Sequence, residues 1–131
     1  MLIQRRALDK YHSGGLWANA CCSHPRKDEP LEIAVPRRLK EELGIENVQV
    51  KEIFSFIYRH RFADDLYEHE LDHVFVAEYD GPVDANPSEI QEIQWIALDD
   101  LEKSLKYEPD RYACWFKIAA PRVLDYLRCS R

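Results

Sequence analysis

The amino-acid sequence predicts a mixed α/β fold in a single domain. The chain has 131 residues, a length at which one domain buries a substantial hydrophobic core. Apolar residues make up 46% of it and charged residues 32%, the balance of an ordinary globular protein. Stretches with strand-like and helix-like hydrophobic spacing alternate without repeats or an internal linker. This pattern favours one domain over residues 1–131, with a mixed sheet and flanking helices.

Short apolar runs bounded by turn residues predict the strands, and apolar residues at helical spacing predict the helices. The turn at residues 63–65 separates two long strand-like segments, which we expect to pair as a hairpin. The predicted strands cover residues 1–8, 16–22, 48–60, 67–79 and 90–97, and the predicted helices cover residues 31–43, 98–105 and 111–128.

The first predicted helix contains a proline, which complicates its start. Gly44 follows residues 31–43 as a stop signal. Pro36 lacks the N–H that a helix interior needs, and its ring clashes one turn back. The regular helix is therefore expected to begin near Ile33 or to be kinked at the proline.

Charge and hydropathy limit the classes of partner. The net charge of −6 argues against broad electrostatic binding to nucleic acid. No apolar run approaches the roughly 18 residues of a membrane helix, and the N-terminus lacks an apolar stretch of signal-peptide length. We expect a cytoplasmic protein that acts on a small molecule, and the sequence leaves the oligomeric state open.

Residues 19–25 read NACCSHP and place two adjacent cysteines just before a histidine. A zinc site, a redox pair, a nucleophile and a packed turn are all possible for such a stretch. The four cysteines of the chain lack the paired Cys-x-x-Cys spacing of zinc fingers, and no secretory signal supports disulfides. The zinc-finger and disulfide interpretations are therefore weak.

The segment from Ser23 to Ile45 resembles the Nudix box, G-x5-E-x7-R-E-U-x-E-E-x-G-U, where U is apolar. Glu29 and Arg37 stand at the expected spacing, and Glu41 and Glu42 follow in register. Two positions differ, because Ser23 replaces the first glycine and Arg38 replaces a glutamate. The alternative is an exposed helix with Arg37–Glu41 and Arg38–Glu42 ion pairs, which explains these residues individually but not the whole register.

The departures from the box point to one branch of the superfamily. The segment from Arg5 to Lys10, the stretch GLWANACCSHP, and Tyr58, Glu68, Glu70 and Trp115 in order resemble type I isopentenyl diphosphate isomerase. The resemblance covers the chain from Met1 to about Tyr126. It implies a Nudix-like α/β/α sandwich that isomerises isopentenyl diphosphate to dimethylallyl diphosphate without hydrolysis.

The resemblance also implies the site residues. Cys22 and Glu70 are the expected acid and base at carbon, a pairing that suits proton transfer when the pKa values are tuned. Tyr58 is expected to orient Glu70, and Trp115 to cover the developing carbocation with its π face. Cys21 is expected to face the other side of the strand as a packed core residue.

Metal and diphosphate ligands follow from the same resemblance. His24, Glu68 and Glu70 are expected to bind a Zn²⁺ or Mn²⁺ ion, since imidazole and carboxylate together suit such an ion. Glu42 is expected to hold a Mg²⁺ ion that bridges the diphosphate. The cations implied as direct diphosphate contacts are Arg6, Lys10 and Arg38.

The sequence lacks an N-terminal segment that the family carries, so a shortened start is expected. That segment supplies two further histidine ligands and a strand that pairs with residues 1–7. We therefore expect an unpaired edge on the first strand. Two other functions stay open: a Nudix hydrolase of another diphosphate, and an inactive module that binds a diphosphate.

Overall fold

The computed structural model describes residues 1–9, 14–21, 28–63 and 66–129, without the side chains of residues 59–63 and 66–70. The chain forms two compact units, one of Met1–Ala20 with Pro87–Arg131 and one of Cys21–Asn86. Each unit contains α-helix and antiparallel sheet, so the mixed α/β class is confirmed. The assignment of residues 1–131 to one domain stays a prediction.

The first unit is built on a three-stranded antiparallel sheet. Strand β1 (Leu2–Arg6) lies between β2 (Trp17–Asn19) and β5 (Ile90–Trp95). Ile3 pairs with a residue on each neighbour and is almost completely buried. The expected unpaired edge on the first strand is therefore wrong, because strands from later in the chain occupy both of its sides.

Hydrogen bonds join the start of the last helix of the first unit to this sheet. Helix α2 (Leu98–Tyr107) is followed by a short 3₁₀ turn and then by α3 (Cys114–Cys129). Just before α3, the N–H of Ala113 donates to the carbonyl of Trp17 at 2.9 Å. This bond fixes the start of α3 to β2. Within the described parts of the chain, no helix is long and apolar enough to cross a membrane.

Helix α1 (Leu31–Leu43) opens the second unit with the predicted bounds. The helix begins at Leu31, two residues before the alternative start near Ile33, because the carbonyl of Pro30 accepts the N–H of Ile33 at 3.1 Å and closes the first turn. The other alternative, a kink at Pro36, stays a prediction. Pro36 lies inside the helix. The helix ends at Gly44, whose positive φ of 65° provides the left-handed conformation of a helix C-cap.

Strands β3 (Lys51–Ala63) and β4 (Leu66–Val76) form a two-stranded antiparallel ladder. The last residue of β3 lies opposite the first residue of β4, so the predicted hairpin is confirmed. Side chains alternate between the two faces of such a ladder. Tyr58 on one face is fully buried, whereas Ile57 and Leu71 on the other face are exposed. The Tyr58 face is therefore the inner face of the hairpin.

Candidate active site

The structure describes the side chains of half of the predicted site residues. Lys10, Cys22 and His24 lie outside the described residues, and Glu68 and Glu70 are described only as backbone positions of β4. Among the others, the first unit contains Arg6 and Trp115, and the second unit contains Arg38, Glu42 and Tyr58.

Arg6 and Trp115 are in direct contact. The guanidinium carbon of Arg6 lies 5.0 Å from the centroid of the Trp115 ring, within the range of a cation–π interaction. The Nε atom of Arg6 is buried and has no hydrogen-bond partner among the described residues. The π face of Trp115 therefore accommodates a cation, and Arg6 keeps a buried N–H that an anion could accept.

The backbone holds Arg6 on both sides. Its N–H donates to the carbonyl of Leu16, and its carbonyl accepts the N–H of Gly15, each at 2.9 Å. Gly15 has a φ of 79°, and a Cβ atom there would lie 2.9 Å from the side chain of Leu8. Glycine is favoured at this position because other residues rarely adopt that backbone conformation. The turn thereby fixes the point from which the Arg6 side chain extends.

The α1 residues of the box form a network centred on Arg37. Its guanidinium makes two hydrogen bonds of 2.7 Å to the carboxylate of Glu29 and two of 3.0 Å to that of Glu41. The hydrogen bonds to Glu29 are the main cause of the raised pKa of Arg37. Hydrogen bonds from Arg37 and then Arg38 lower the pKa of Glu41. The bidentate pair ties the segment before α1 to the helix.

Glu42 is a buried carboxylate whose hydrogen-bond partners include Arg38 and Cys21. Only 1% of its side chain is exposed, and its Oε2 accepts a hydrogen bond of 3.0 Å from Nη2 of Arg38. The thiol of Cys21 donates to the same oxygen at 3.4 Å. Both predicted i,i+4 pairs, Arg37–Glu41 and Arg38–Glu42, are therefore formed.

The prediction that Cys21 is a packed core residue is wrong. Cys21 is only half-buried, and its thiol contacts Glu42. Strand β2 ends at Asn19 and a bend follows at Ala20. Strand alternation therefore does not extend to Cys21 and cannot determine the direction of its side chain.

The hairpin register brings the other predicted positions together. Glu70 lies opposite Tyr58 and Glu68 lies opposite His60 in the antiparallel ladder. Positions two apart on a strand share one face, so Glu68, Glu70 and Tyr58 occupy one face of the hairpin. A hydrogen bond from Tyr58 to Glu70 stays a prediction.

The predicted metal ligands can be compared with the ligand atoms that divalent ions prefer. In the described part of the chain, no group of three or more His, Cys, Asp or Glu side chains could hold a metal ion. Of the predicted ligands, only the Glu42 side chain lies in that part. Two carboxylate positions on one strand face, together with the buried carboxylate of Glu42, offer oxygen donors of the type that divalent ions bind. The chemistry of the predicted set therefore fits such ions.

Among the described residues, sequence reasoning did not identify Asn19 as a contact of a predicted site side chain. The Oδ1 atom of Asn19 accepts a hydrogen bond of 3.0 Å from the indole Nε1 of Trp115. Asparagine is depleted in strands, so its place in the middle of the predicted apolar strand 16–22 was the available signal. Spacing alone could not indicate its partner, which lies 96 residues later.

Comparison with known proteins identifies relatives that match most of the chain. The NUDIX domain family model matches residues 1–116. Isopentenyl-diphosphate Delta-isomerase 2 of Aromatoleum aromaticum is 44% identical over 95% of this chain and 66% of its own length. Isopentenyl-diphosphate Delta-isomerase of Photobacterium profundum is 45% identical over 96% of this chain and 69% of its own length. The chain thus spans about two thirds of the length of these relatives.

Solved structures support the same fold. A MutT Nudix hydrolase from Burkholderia pseudomallei matches with a TM-score of 0.71 and 27% identity, covering 93% of this chain and 86% of that protein. A MutT protein from Methanosarcina mazei Go1 matches with a TM-score of 0.71 and 22% identity, covering 97% of this chain and 83% of that one. The Nudix-like fold prediction is confirmed.

Proposed function

Because the chain belongs to the isopentenyl-diphosphate Delta-isomerase family of Nudix proteins, we propose that it converts isopentenyl diphosphate to dimethylallyl diphosphate. The conversion adds a proton to the terminal methylene carbon and removes a proton from the carbon two bonds away. The double bond moves by one position and the diphosphate stays attached. The product is an allylic diphosphate, a precursor for isoprenoid biosynthesis.

The contact between Arg6 and Trp115 is the observation that supports this proposal most directly. The ring face of Trp115 already receives the positive charge of a guanidinium at 5.0 Å. Protonation of the alkene generates positive charge on the tertiary carbon of the substrate, and an indole face stabilises such a charge by the same quadrupole interaction. Trp115 would therefore lower the free energy of the cationic state relative to the neutral substrate.

Diphosphate binding is assigned to Arg6, Lys10 and Arg38. The buried Nε of Arg6 has no hydrogen-bond partner among the described residues, so a phosphate oxygen can accept its N–H. Arg38 stands where the Nudix box carries a glutamate. A guanidinium at that position favours binding of phosphate oxygens over the ligation of a hydrolytic metal cluster.

Cys22 and Glu70 carry the proposed proton transfers. One of them donates a proton to the methylene carbon and the other accepts the proton lost, so the substrate gains and loses one proton. Exchange with solvent then restores both groups. Tyr58, opposite Glu70 in the hairpin register, would fix the carboxylate by a hydrogen bond from its phenol.

Two divalent ions complete the proposed site. His24, Glu68 and Glu70 would hold Zn²⁺ or Mn²⁺, and Glu42 would hold Mg²⁺. Such ions neutralise diphosphate charge and fix the orientation of carboxylate oxygens. A prenyl diphosphate is the one partner that we propose, since the net charge of −6 disfavours nucleic acid. We propose the cytoplasm as the compartment.

The test is incubation with isopentenyl diphosphate and, in parallel, with a panel of nucleoside diphosphates, in the presence of Mg²⁺ with Zn²⁺ or Mn²⁺. Proton NMR should detect dimethylallyl diphosphate, and a phosphate assay should detect no release. Phosphate release without isomer would replace the proposal with a Nudix hydrolase. Binding of the prenyl diphosphate in calorimetry without turnover would indicate an inactive binding module.

Substitutions of Cys22 and Glu70 test whether these residues carry the proton transfers. Cys22→Ala and Glu70→Gln should each abolish isomerisation, because each removes one of the two proton carriers. Cys129→Ala is the matched control, since Cys129 is an exposed cysteine at the end of α3. Equal loss of activity in Cys129→Ala and Cys22→Ala would contradict the assignment of Cys22.

A further inference from the structure

We infer that Asn19 is a positioning residue that holds the Trp115 indole in the plane required to stabilise a cationic carbon. The inference rests on the proposed role of Trp115 and extends it to a residue that does not touch the substrate. It predicts that Asn19 affects the binding of cationic states but has little effect on neutral ones.

The indole N–H of Trp115 has one direction in which to donate, and Asn19 supplies the acceptor there. The Nε1 to Oδ1 distance of 3.0 Å is that of a normal hydrogen bond. Asn19 is the last residue of β2 and is paired with the buried Ile3 of β1. The acceptor is therefore mounted on a strand that the sheet holds in place.

A second link fixes the backbone that carries the indole. Trp115 is the second residue of α3, and the N–H of Ala113, two residues earlier, donates to Trp17 on β2 at 2.9 Å. Strand β2 therefore holds both the start of α3 and the edge of the ring. Tryptophan has only two side-chain torsions, so a backbone anchor and an anchored ring nitrogen together define the ring plane.

The plane matters because an aromatic ring is negative on its face and positive at its edge. With the indole N–H held by Asn19, Trp115 presents its face to the guanidinium of Arg6. Donation of the N–H to an oxygen also leaves more electron density in the ring. Without the acceptor, the ring can rotate and turn its positive edge toward a cation, which weakens the attraction.

Calorimetry with two matched ligands tests this inference. The first ligand is an amine diphosphate in which a protonated tertiary nitrogen replaces the cationic carbon. The second is its neutral carbon isostere with the same diphosphate. The measured quantity is the ratio of the two dissociation constants, in which contributions from the diphosphate and from protein stability largely cancel.

The wild-type protein should bind the ammonium ligand more tightly than the neutral one. Asn19→Leu should reduce this preference by about fivefold, the factor that corresponds to the net free energy of one hydrogen bond, with little change for the neutral ligand. Asn19→Ser serves as a second variant, since its shorter side chain also loses the contact while staying polar. Asn19→Asp keeps an acceptor and should retain or raise the preference.

A double-mutant cycle checks that Asn19 acts through the indole nitrogen. Trp115→Phe keeps a ring but removes the N–H, so Asn19→Leu should have no further effect in that background. Additive losses, or an unchanged preference in both Asn19→Leu and Asn19→Ser, would overturn the inference. If the wild-type protein itself showed no preference for the ammonium ligand, the proposed role of Trp115 would fail instead, so the two failures are distinguishable.

Discussion

Replacing Arg38 with methionine tests the environment of the buried Glu42 carboxylate. Methionine is unbranched and fills much of the volume of the arginine stem, so the change mainly removes the cation. The guanidinium that it removes lies 3.0 Å from Oε2 of Glu42, and only 1% of the Glu42 side chain is exposed. We expect the Arg38→Met protein to be considerably less stable than the wild type.

The size of the expected stability loss follows from the burial of Arg38 and Glu42. Removing one partner of a fully buried ion pair costs about 3–5 kcal/mol, because an uncompensated charge is left behind. Here 20% of the Arg38 side chain is exposed, and Glu42 keeps the hydrogen bond from the Cys21 thiol. Both features reduce the cost, so we expect a loss of about 3 kcal/mol in the free energy of unfolding. For a chain of this size that corresponds to about 10 °C in Tm.

The assay is urea unfolding of the wild type, Arg38→Met, Glu42→Gln and the double variant, which gives the free energy of unfolding of each. Adding Glu42→Gln to Arg38→Met should recover most of the loss, because a neutral amide does not require a cation. Arg38→Lys serves as the control that keeps the charge but loses the planar fork, and it should lose less stability than Arg38→Met.

Either of two results would contradict the expected role of the Glu42 charge. One is a loss below about 0.5 kcal/mol in Arg38→Met, the range of an ordinary surface substitution. The other is a double variant as unstable as Arg38→Met alone, which would mean that the charge of Glu42 is not the source of the cost.

Three further outcomes are expected from single substitutions. Cys21→Ala should lower the free energy of unfolding by less than about 1 kcal/mol, because a thiol is a weak donor to Glu42. The kcat of this variant should stay largely intact. Cys21→Ser should restore the lost stability. Gly44→Ala should lower the free energy of unfolding, measured in urea, by about 1–2 kcal/mol, because φ at this position is 65°. Gly44→Asn should lower it by less. Equal losses in the two variants would contradict the assignment of the cost to the backbone conformation. Hydrogen bonds from Arg37 lower the pKa of Glu41 below the usual range of a glutamate, so their contribution to stability is present at neutral pH and is lost as the pH falls through the lowered pKa. The urea midpoint of Glu41→Gln should accordingly lie below that of the wild type at neutral pH, and the difference should shrink as the pH falls through the lowered pKa.

Local patterns predicted most of the secondary structure, because hydrophobic spacing and turn residues act over a few neighbours. Helix α1 has the predicted bounds, and the two long strands pair as the predicted hairpin. The errors arose where a tertiary or capping interaction overrode the local pattern. The alternative start of α1 near Ile33 is two residues late, because Pro30 closes the first turn, and β1 has partners on both sides in β2 and β5.

Some contacts of the candidate site could also be predicted from local spacing, and others could not. The pairs of Arg37 with Glu41 and of Arg38 with Glu42 were predicted because residues four apart on a helix are always neighbours. The inner-face placement of Tyr58 comes from the hairpin register. The contact of Cys21 with Glu42 could not be predicted, because the chain bends after β2 and the strand rule no longer applies there.

By itself, the sequence determined the family, through residues spread from Arg5 to Trp115, and the box register, through its spacing. It also determined the ion pairs along α1, because residues four apart on a helix are neighbours. Only the tertiary structure decided that the Arg6 guanidinium lies over the Trp115 ring and that Asn19 accepts a hydrogen bond from the same indole. Asn19 and Trp115 lie 96 residues apart in the chain. No local rule relates such residues, and they meet because α3 starts from a hydrogen bond to β2, which places the end of a strand beside the first turn of a helix.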